Sequence, residues 1–202
     1  MRVTVIDYKA GNLTSVLKAL RHLGAEPEVT DSDTALVANA ERIVLPGVGH
    51  FAATARLNET GLTPAIRAAV AQGVPFLGIC VGMQWLYSGS TEAPQQLGLG
   101  HFVESCARFA DAAEKVPHVG WNSLEMRADS CLFKGVERGE FVYFTHSFKA
   151  PVTADTAAET YYIEPFAAAV ERANVMGVQF HPEKSGETGL KILRNFLAWE
   201  GN

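Results

Sequence analysis

Through the first half of the chain, short apolar runs alternate with segments of helical period, and this alternation restricts the fold more than any other feature. Residues 2–7 and 43–45 read as strands, 28–30 as a short strand between them, and 13–23 as a helix. Leu13, Val16, Leu17, Leu20 and Leu23 recur at three- and four-residue spacing, and Gly24 supplies a C-terminal stop. A second helical pattern at 63–72 ends at Gly73 and delivers the chain into an apolar run at 75–79. Alternation of this kind predicts an α/β chain with βαβ units around a central, mostly parallel sheet flanked by helices.

From about residue 97 to 173 the character changes to many short β-type runs, such as 141–145 and 159–163, separated by Gly, Pro and Asp. No linker-like spacer precedes or follows this stretch, so it reads as antiparallel strands added to the parallel core of one domain over 1–202. The end returns to a buried strand at 175–180 and a helix at 188–199, with Leu190, Leu193, Phe196 and Leu197 on one face.

Charge and cysteine content narrow the class. Seventeen basic against 22 acidic residues leave a net charge of −5, which argues against sequence-independent binding to nucleic acid or anionic lipid. Hydrophobic residues make up 48% of the chain, enough for a full core. Three cysteines suit no disulfide framework, and the first residues carry no signal-peptide pattern, so a reducing, cytoplasmic setting is expected. Residues 68–91 are uncharged, yet Gly, Pro, Gln and Ser interrupt them, which fits a buried strand entering a turn better than a membrane span.

The most specific local feature is Gly78-Ile79-Cys80-Val81-Gly82, where the strand at 75–79 meets a helical pattern at 81–87. A nucleophile on a strained strand-to-helix turn needs small residues two before and two after it. At a helix N-terminus the Cys80 thiolate would be stabilised by the dipole and free N–H groups. The alternative is a small buried hydrophobe. His181-Pro182-Glu183 follows the last strand, and in an extended segment His181 and Glu183 project to the same side, so the carboxylate can orient the imidazole. Both Cys80 and His181 fall at strand C-termini, where open α/β sheets gather their ligands. Cys80 as nucleophile, His181 as base and then acid, and Glu183 as orienter form a complete set. Pro46-Gly47-Val48-Gly49 is an ordinary turn signal on its own; beside this set, the amides of Val48 or Gly49, with that of Val81, are candidate oxyanion donors.

Taken together, these segments resemble the class I glutamine amidotransferases, which hydrolyse glutamine to supply ammonia. The resemblance extends over residues 7–16 (DYKAGNLTSV), 45–51 (LPGVGHF), 77–86 (LGICVGMQWL), 117–122 (PHVGWN), 143–148 (YFTHSF), 164–170 (EPFAAAV) and 177–186 (GVQFHPEKSG). It implies the flavodoxin-like fold of that family, the catalytic set Cys80, His181 and Glu183, and glutamine contacts from Gly47, Gln84, Glu92, Ser147 and Phe148. Glu92 would face the substrate ammonium and the Ser147–Phe148 segment its carboxylate end. The stretch at 117–122 points to the branch of histidine biosynthesis, whose partner is a (β/α)8-barrel cyclase subunit in a heterodimer. Asn12, Tyr143 and Lys184 are the interface positions this implies. Lys9-Ala10, Val81 and Thr145 depart from the usual pattern, at positions that leave the chemistry intact.

No His, Cys or acidic spacing resembles a metal set, so neither metal nor cofactor is expected. His118 and His146 lie in family stretches without a role that chemistry supplies. Competing readings are a glutaminase for another acceptor such as chorismate, an inactive docking subunit on the same fold, and a stand-alone thiol hydrolase; the intact triad speaks against the second.

Overall fold

The computed structural model describes residues 1–9, 13–110, 114–127 and 129–201. Its strands are β1 (Arg2–Ile6), β2 (Glu26–Thr30), β3 (Ile43–Gly47), β4 (Phe76–Cys80), β5 (Gly89–Ser90), β6 (Ser105–Arg108), β7 (His118–Ser123), β8 (Glu125–Met126), β9 (Phe141–His146), β10 (Phe148–Lys149), β11 (Thr156–Tyr162), β12 (Glu164–Arg172) and β13 (Val175–Val178). The helices are α1 (Thr14–His22), α2 (Thr34–Ala38), α3 (Ala55–Glu59), α4 (Leu62–Ala71), α5 (Val81–Gln84) and α6 (Gly186–Ala198).

The main sheet runs β2-β1-β3-β4-β13-β12-β11-β8. Its first five strands are parallel and the remainder antiparallel. β3 and β4 are buried along their whole length, as expected for strands covered by helices on both faces. β2 carries Pro27 and exposed side chains, and it takes the edge, where a missing N–H leaves no ladder bond unmade. In β12, the run Phe166–Val170 is fully buried, with three alanines letting neighbouring layers approach closely.

The helix at 13–23 is α1, burying Val16, Ala19 and Leu20, and Gly24 adopts φ +81° just past its end. In α6 the buried face is rotated from the expected one: Ile192 is covered, whereas Leu190 is half-buried. Two further expectations need correction, and two short helices had no counterpart in the sequence reading. Only β8, β11 and β12 of the middle region join the main sheet; β7 pairs with β9 and β10-β6-β5 forms a third sheet. The short α2 and α3 have too few turns to show a period, although Asp33 caps α2 by accepting from the Leu36 amide at 2.9 Å. The helix predicted over 81–87 stops at Gln84. Beyond it, the amides of Leu99, His101 and Gly100 bond to the carbonyls of Trp85, Leu86 and Tyr87 at 2.6, 2.9 and 3.1 Å, so a backbone strap takes the place of further helical turns.

Candidate active site

The C-terminal ends of β3, β4 and β13 lie side by side, with Gly47 registered against Cys80 and Val178 against Ile79. Cys80 ends β4 at φ +55°, ψ −111°, a strained conformation for a residue with a side chain, and Val81 immediately opens α5. The glycines two before and two after it are required by contact. A Cβ on Gly78 would stand 2.5 Å from the Gly82 carbonyl oxygen, and one on Gly82 would stand 1.8 Å from the Leu45 carbonyl oxygen. Strand and helix can fold back this tightly only with hydrogen on both sides of the turn.

His181 enters the same edge after β13. Its amide donates to the Tyr143 carbonyl at 2.9 Å, and its carbonyl accepts from Ser185 Oγ at 2.6 Å, so the backbone is pinned on both sides. His181 Nδ1 lies 2.9 Å from Glu183 Oε1, with both side chains almost wholly buried. The pairing arises differently from the sequence expectation. Residues Pro182–Lys184 form a 3₁₀ turn instead of continuing extended, and that turn, started at Pro182, swings Glu183 back under the ring.

Burial opposes a charge on His181, but hydrogen bonding and charge from Cys80 and Glu183 outweigh it and lift its pKa to about 9. Nε2 makes no hydrogen bond of ordinary geometry, although the thiol is near enough to favour the imidazolium. Tyr8 packs its hydroxyl over Gly47, where a Cβ would come within 1.9 Å of it, and burial followed by the charge of Cys80 pushes its pKa far up. Tyr8, Gly47, His181 and Glu183 line a cavity of about 20 Å³.

On the other side of the Val48 segment is a cleft of about 220 Å³. It gathers Val48, Gly49, Cys80, Val81, Gln84, Glu92, Ser147 and Phe148 from four separate stretches of chain. Gly47 is absent from its lining, because its Cα turns to Tyr8 and the smaller cavity. Within the cleft, Glu92 already accepts from the Phe51 amide through Oε2 at 2.7 Å. Gln84 uses its amide nitrogen twice, on the Phe148 carbonyl at 2.9 Å and on Gln179 Oε1 at 3.0 Å, which leaves its oxygen for a ligand. Tyr143 and Lys184 meet outside the lining of the cleft, with the ammonium 5.9 Å from the ring centre, and Trp121 packs edge-on to the same ring. Asn12 lies outside the described residues.

Three participants escaped the sequence reading. His118 and His146 stand opposite each other across the β7–β9 ladder, with ring nitrogens 3.1 Å apart. His146 Nδ1 is 2.9 Å from the Phe148 carbonyl, which only accepts, so His146 carries its proton there and Nε2 accepts from His118 Nδ1. Asn122 Nδ2 closes the series on His118 Nε2 at 3.4 Å. Both rings are therefore neutral, and burial drives their pKa values down to about 4 and 3. Gln179, the third, is fully buried with its amide nitrogen 3.6 Å from Cys80 Sγ. A Gln inside the apolar run Val175–Phe180 was the available signal; the two histidines, 28 positions apart, offered none.

All three cysteines are free thiols. Burial raises Cys106, and burial together with Glu171 lifts Cys131 to about 12. Among the described residues no three His, Cys, Asp or Glu side chains are grouped to hold a metal, and no helix is long and apolar enough to cross a membrane.

The family described as glutamine amidotransferase class-I matches residues 4–199. A curated relative from Bacteroides fragilis, named imidazole glycerol phosphate synthase subunit HisH, is 47% identical, covering 98% of this chain and 99% of its own. One of the same name from Methanosarcina acetivorans is 44% identical, covering 97% and 98%. Among solved structures, a glutamine amidotransferase superposes with a TM-score of 0.75 at 20% identity, covering 96% of both chains. PurLQS from Thermotoga maritima gives 0.71 at 21% identity, covering 97% of both. At such identities the structures speak for the fold alone, a mostly parallel α/β sheet with antiparallel additions. The sequence relatives and the family match reach further: this chain belongs to the class-I glutamine amidotransferase family, in the group of the HisH subunits of imidazole glycerol phosphate synthase.

Proposed function

We propose that the chain is the glutaminase subunit of an imidazole glycerol phosphate synthase. It hydrolyses L-glutamine to glutamate and ammonia in the cytoplasm and passes the ammonia to a (β/α)8-barrel cyclase subunit, which forms imidazole glycerol phosphate and an aminoimidazole carboxamide ribotide in histidine biosynthesis. The observation that carries the reading is the strained Cys80 turn opening into the cleft beside the buried His181–Glu183 pair.

In this mechanism the Cys80 thiolate attacks the carboxamide carbon of glutamine. The charge that develops on the amide oxygen falls to backbone N–H groups, that of Val81 and one from Val48 or Gly49. His181 Nε2 gives its proton to the departing nitrogen, and ammonia leaves with the formation of a γ-glutamyl thioester. The neutral imidazole then takes a proton from water as that water attacks the thioester, and glutamate is released with the thiolate and imidazolium restored. Glu183 keeps Nδ1 protonated throughout, so that Nε2 is the end that exchanges the proton. Glu92 is suited to the substrate ammonium through its remaining oxygen, and the Ser147–Phe148 segment to the carboxylate end.

Ammonia released into water would be protonated and lost as a nucleophile, so a docked partner must receive it directly. The cluster of Tyr143, Lys184 and Trp121 supplies an aromatic and cationic surface for that dock, with exposed Val119 and Phe141 on the same ribbon. The test is glutamate release from L-glutamine by the chain alone and with the cyclase subunit and its ligand. Cys80→Ala should lower turnover at least about 10³-fold under both conditions. Turnover that persists in that variant would remove Cys80 from the mechanism, and turnover indifferent to the cyclase would point to another acceptor.

A further inference from the structure

Gln179 is fully buried one residue past β13, and no step of the mechanism above uses it. Its amide nitrogen lies 3.6 Å from Cys80 Sγ and its amide oxygen 3.0 Å from Gln84 Nε2. The two ends of a carboxamide look alike, so its direction has to follow from its neighbours. Gln84 supplies that direction. Its nitrogen also sits 2.9 Å from the Phe148 carbonyl, which can only accept, so the NH₂ end of Gln84 faces both partners. With one N–H spent on Phe148, the other must meet an oxygen on Gln179. Gln179 is thereby left with its NH₂ end toward the sulfur. Reversed, two NH₂ groups would meet at 3.0 Å and a carbonyl lone pair would face the thiolate.

The Phe148 carbonyl is fixed from a second side by His146, and His146 by His118. The direction of every donor from Asn122 to the sulfur is therefore determined by acceptors that have no alternative. An N–H aimed at sulfur favours thiolate over thiol, because the charged form is the stronger acceptor.

We propose that Gln179 holds and aims the Cys80 thiolate, and that Gln84 is the positioning residue that keeps Gln179 donating. Gln179 touches the reacting atom, whereas Gln84 acts through it. The inference deepens the reading of Cys80 as the nucleophile and rests on it. The titratable groups that face the sulfur are His181 and Tyr8; Glu183 acts through His181, and Glu92 shares the cleft.

The test is the pH dependence of Cys80 alkylation by iodoacetamide in the full chain, followed on the Cys80 peptide by mass spectrometry. Gln179→Leu removes the donor and should move the alkylation midpoint up by about one pH unit, slowing the reaction about tenfold below the midpoint. Gln179→Glu keeps the shape and can still accept from Gln84, but it sets an oxygen against the sulfur, so its rise should be larger. Gln84→Leu frees Gln179 to turn and should give a smaller rise of the same sign. A purely structural role would lower the urea midpoint of these variants and leave the alkylation midpoint where it stands in the native chain. A native Cys80 that is inert at neutral pH overturns the nucleophile reading itself. A reactive Cys80 whose midpoint is unmoved in a folded Gln179→Leu or Gln179→Glu variant overturns this inference alone.

Discussion

At the scale of single residues, the site depends on a few side chains whose protonation is dictated by what surrounds them. His118 and His146 are held neutral by burial, with pKa values near 4 and 3 against about 6.5 in an unfolded chain. Between those limits the unfolded chain binds more protons than the folded one, so stability falls as pH falls from about 6.5 toward 4. The expected result is a urea midpoint that drops over this window. In His118→Phe, whose ring keeps the stacking on Tyr162 and Phe144, the drop should be shallower by about one proton. Equal slopes in the two proteins would show that His118 already titrates normally in the folded state. Cys80 is a different case: its backbone strain is fixed by two neighbouring glycines that accept no Cβ, so the turn is built into the chain before any substrate arrives.

At the scale of elements, the strap over residues 98–101 decides where α5 ends. A Cβ on Gly98 would stand 2.1 Å from the Tyr87 carbonyl oxygen and 2.6 Å from that of Trp85, both of them backbone atoms with little freedom to move. Gly98→Ala should therefore cost about 2–4 kcal/mol of unfolding free energy, read from urea denaturation with tryptophan fluorescence. Gly100→Ala has open space and only its positive φ of +71° to contend with, so about 1 kcal/mol is expected there. A Gly98→Ala loss no larger than that of Gly100→Ala would remove the strap from the account.

The same strap marks the limit of what was legible in the sequence. The parallel strands, α1, α4 and the Cys80 turn could be read because each obeys a local rule of period or spacing. The end of α5 could not, because the carbonyls of the three residues that follow it are satisfied by amides more than ten positions away. His181 and Glu183 were correctly set side by side, but through an extended segment where the chain forms a 3₁₀ turn. Gly47 was grouped with the glutamine contacts through the family resemblance, and only the Tyr8 hydroxyl above it shows that it faces the other way. The Gln84–Gln179 contact joins stretches 95 residues apart, and nothing local announces it.

At the scale of the whole molecule, the β7–β9 ribbon stands outside the main sheet and has two distinct faces. Val119 and Trp121 are exposed on it, while His118 and His146 are buried on the other side, His146 in the wall of the cleft. A partner seated on the outer face would press on a ribbon whose strand β9 ends in the cleft wall at Thr145 and His146. Lys184→Ala removes the cation beside Tyr143 without touching the thiol, so it should weaken activation of glutaminase by the cyclase several-fold while leaving Cys80 alkylation unchanged. Equal loss of both would withdraw Lys184 from the dock. The distribution of thiols has a practical consequence as well. With Cys106 sealed in the core and Cys131 held protonated beside Glu171, a mild electrophile at neutral pH should find a single target on each native molecule. Its stoichiometry would then count the correctly assembled copies in a preparation, and misfolded material would betray itself by reacting more than once.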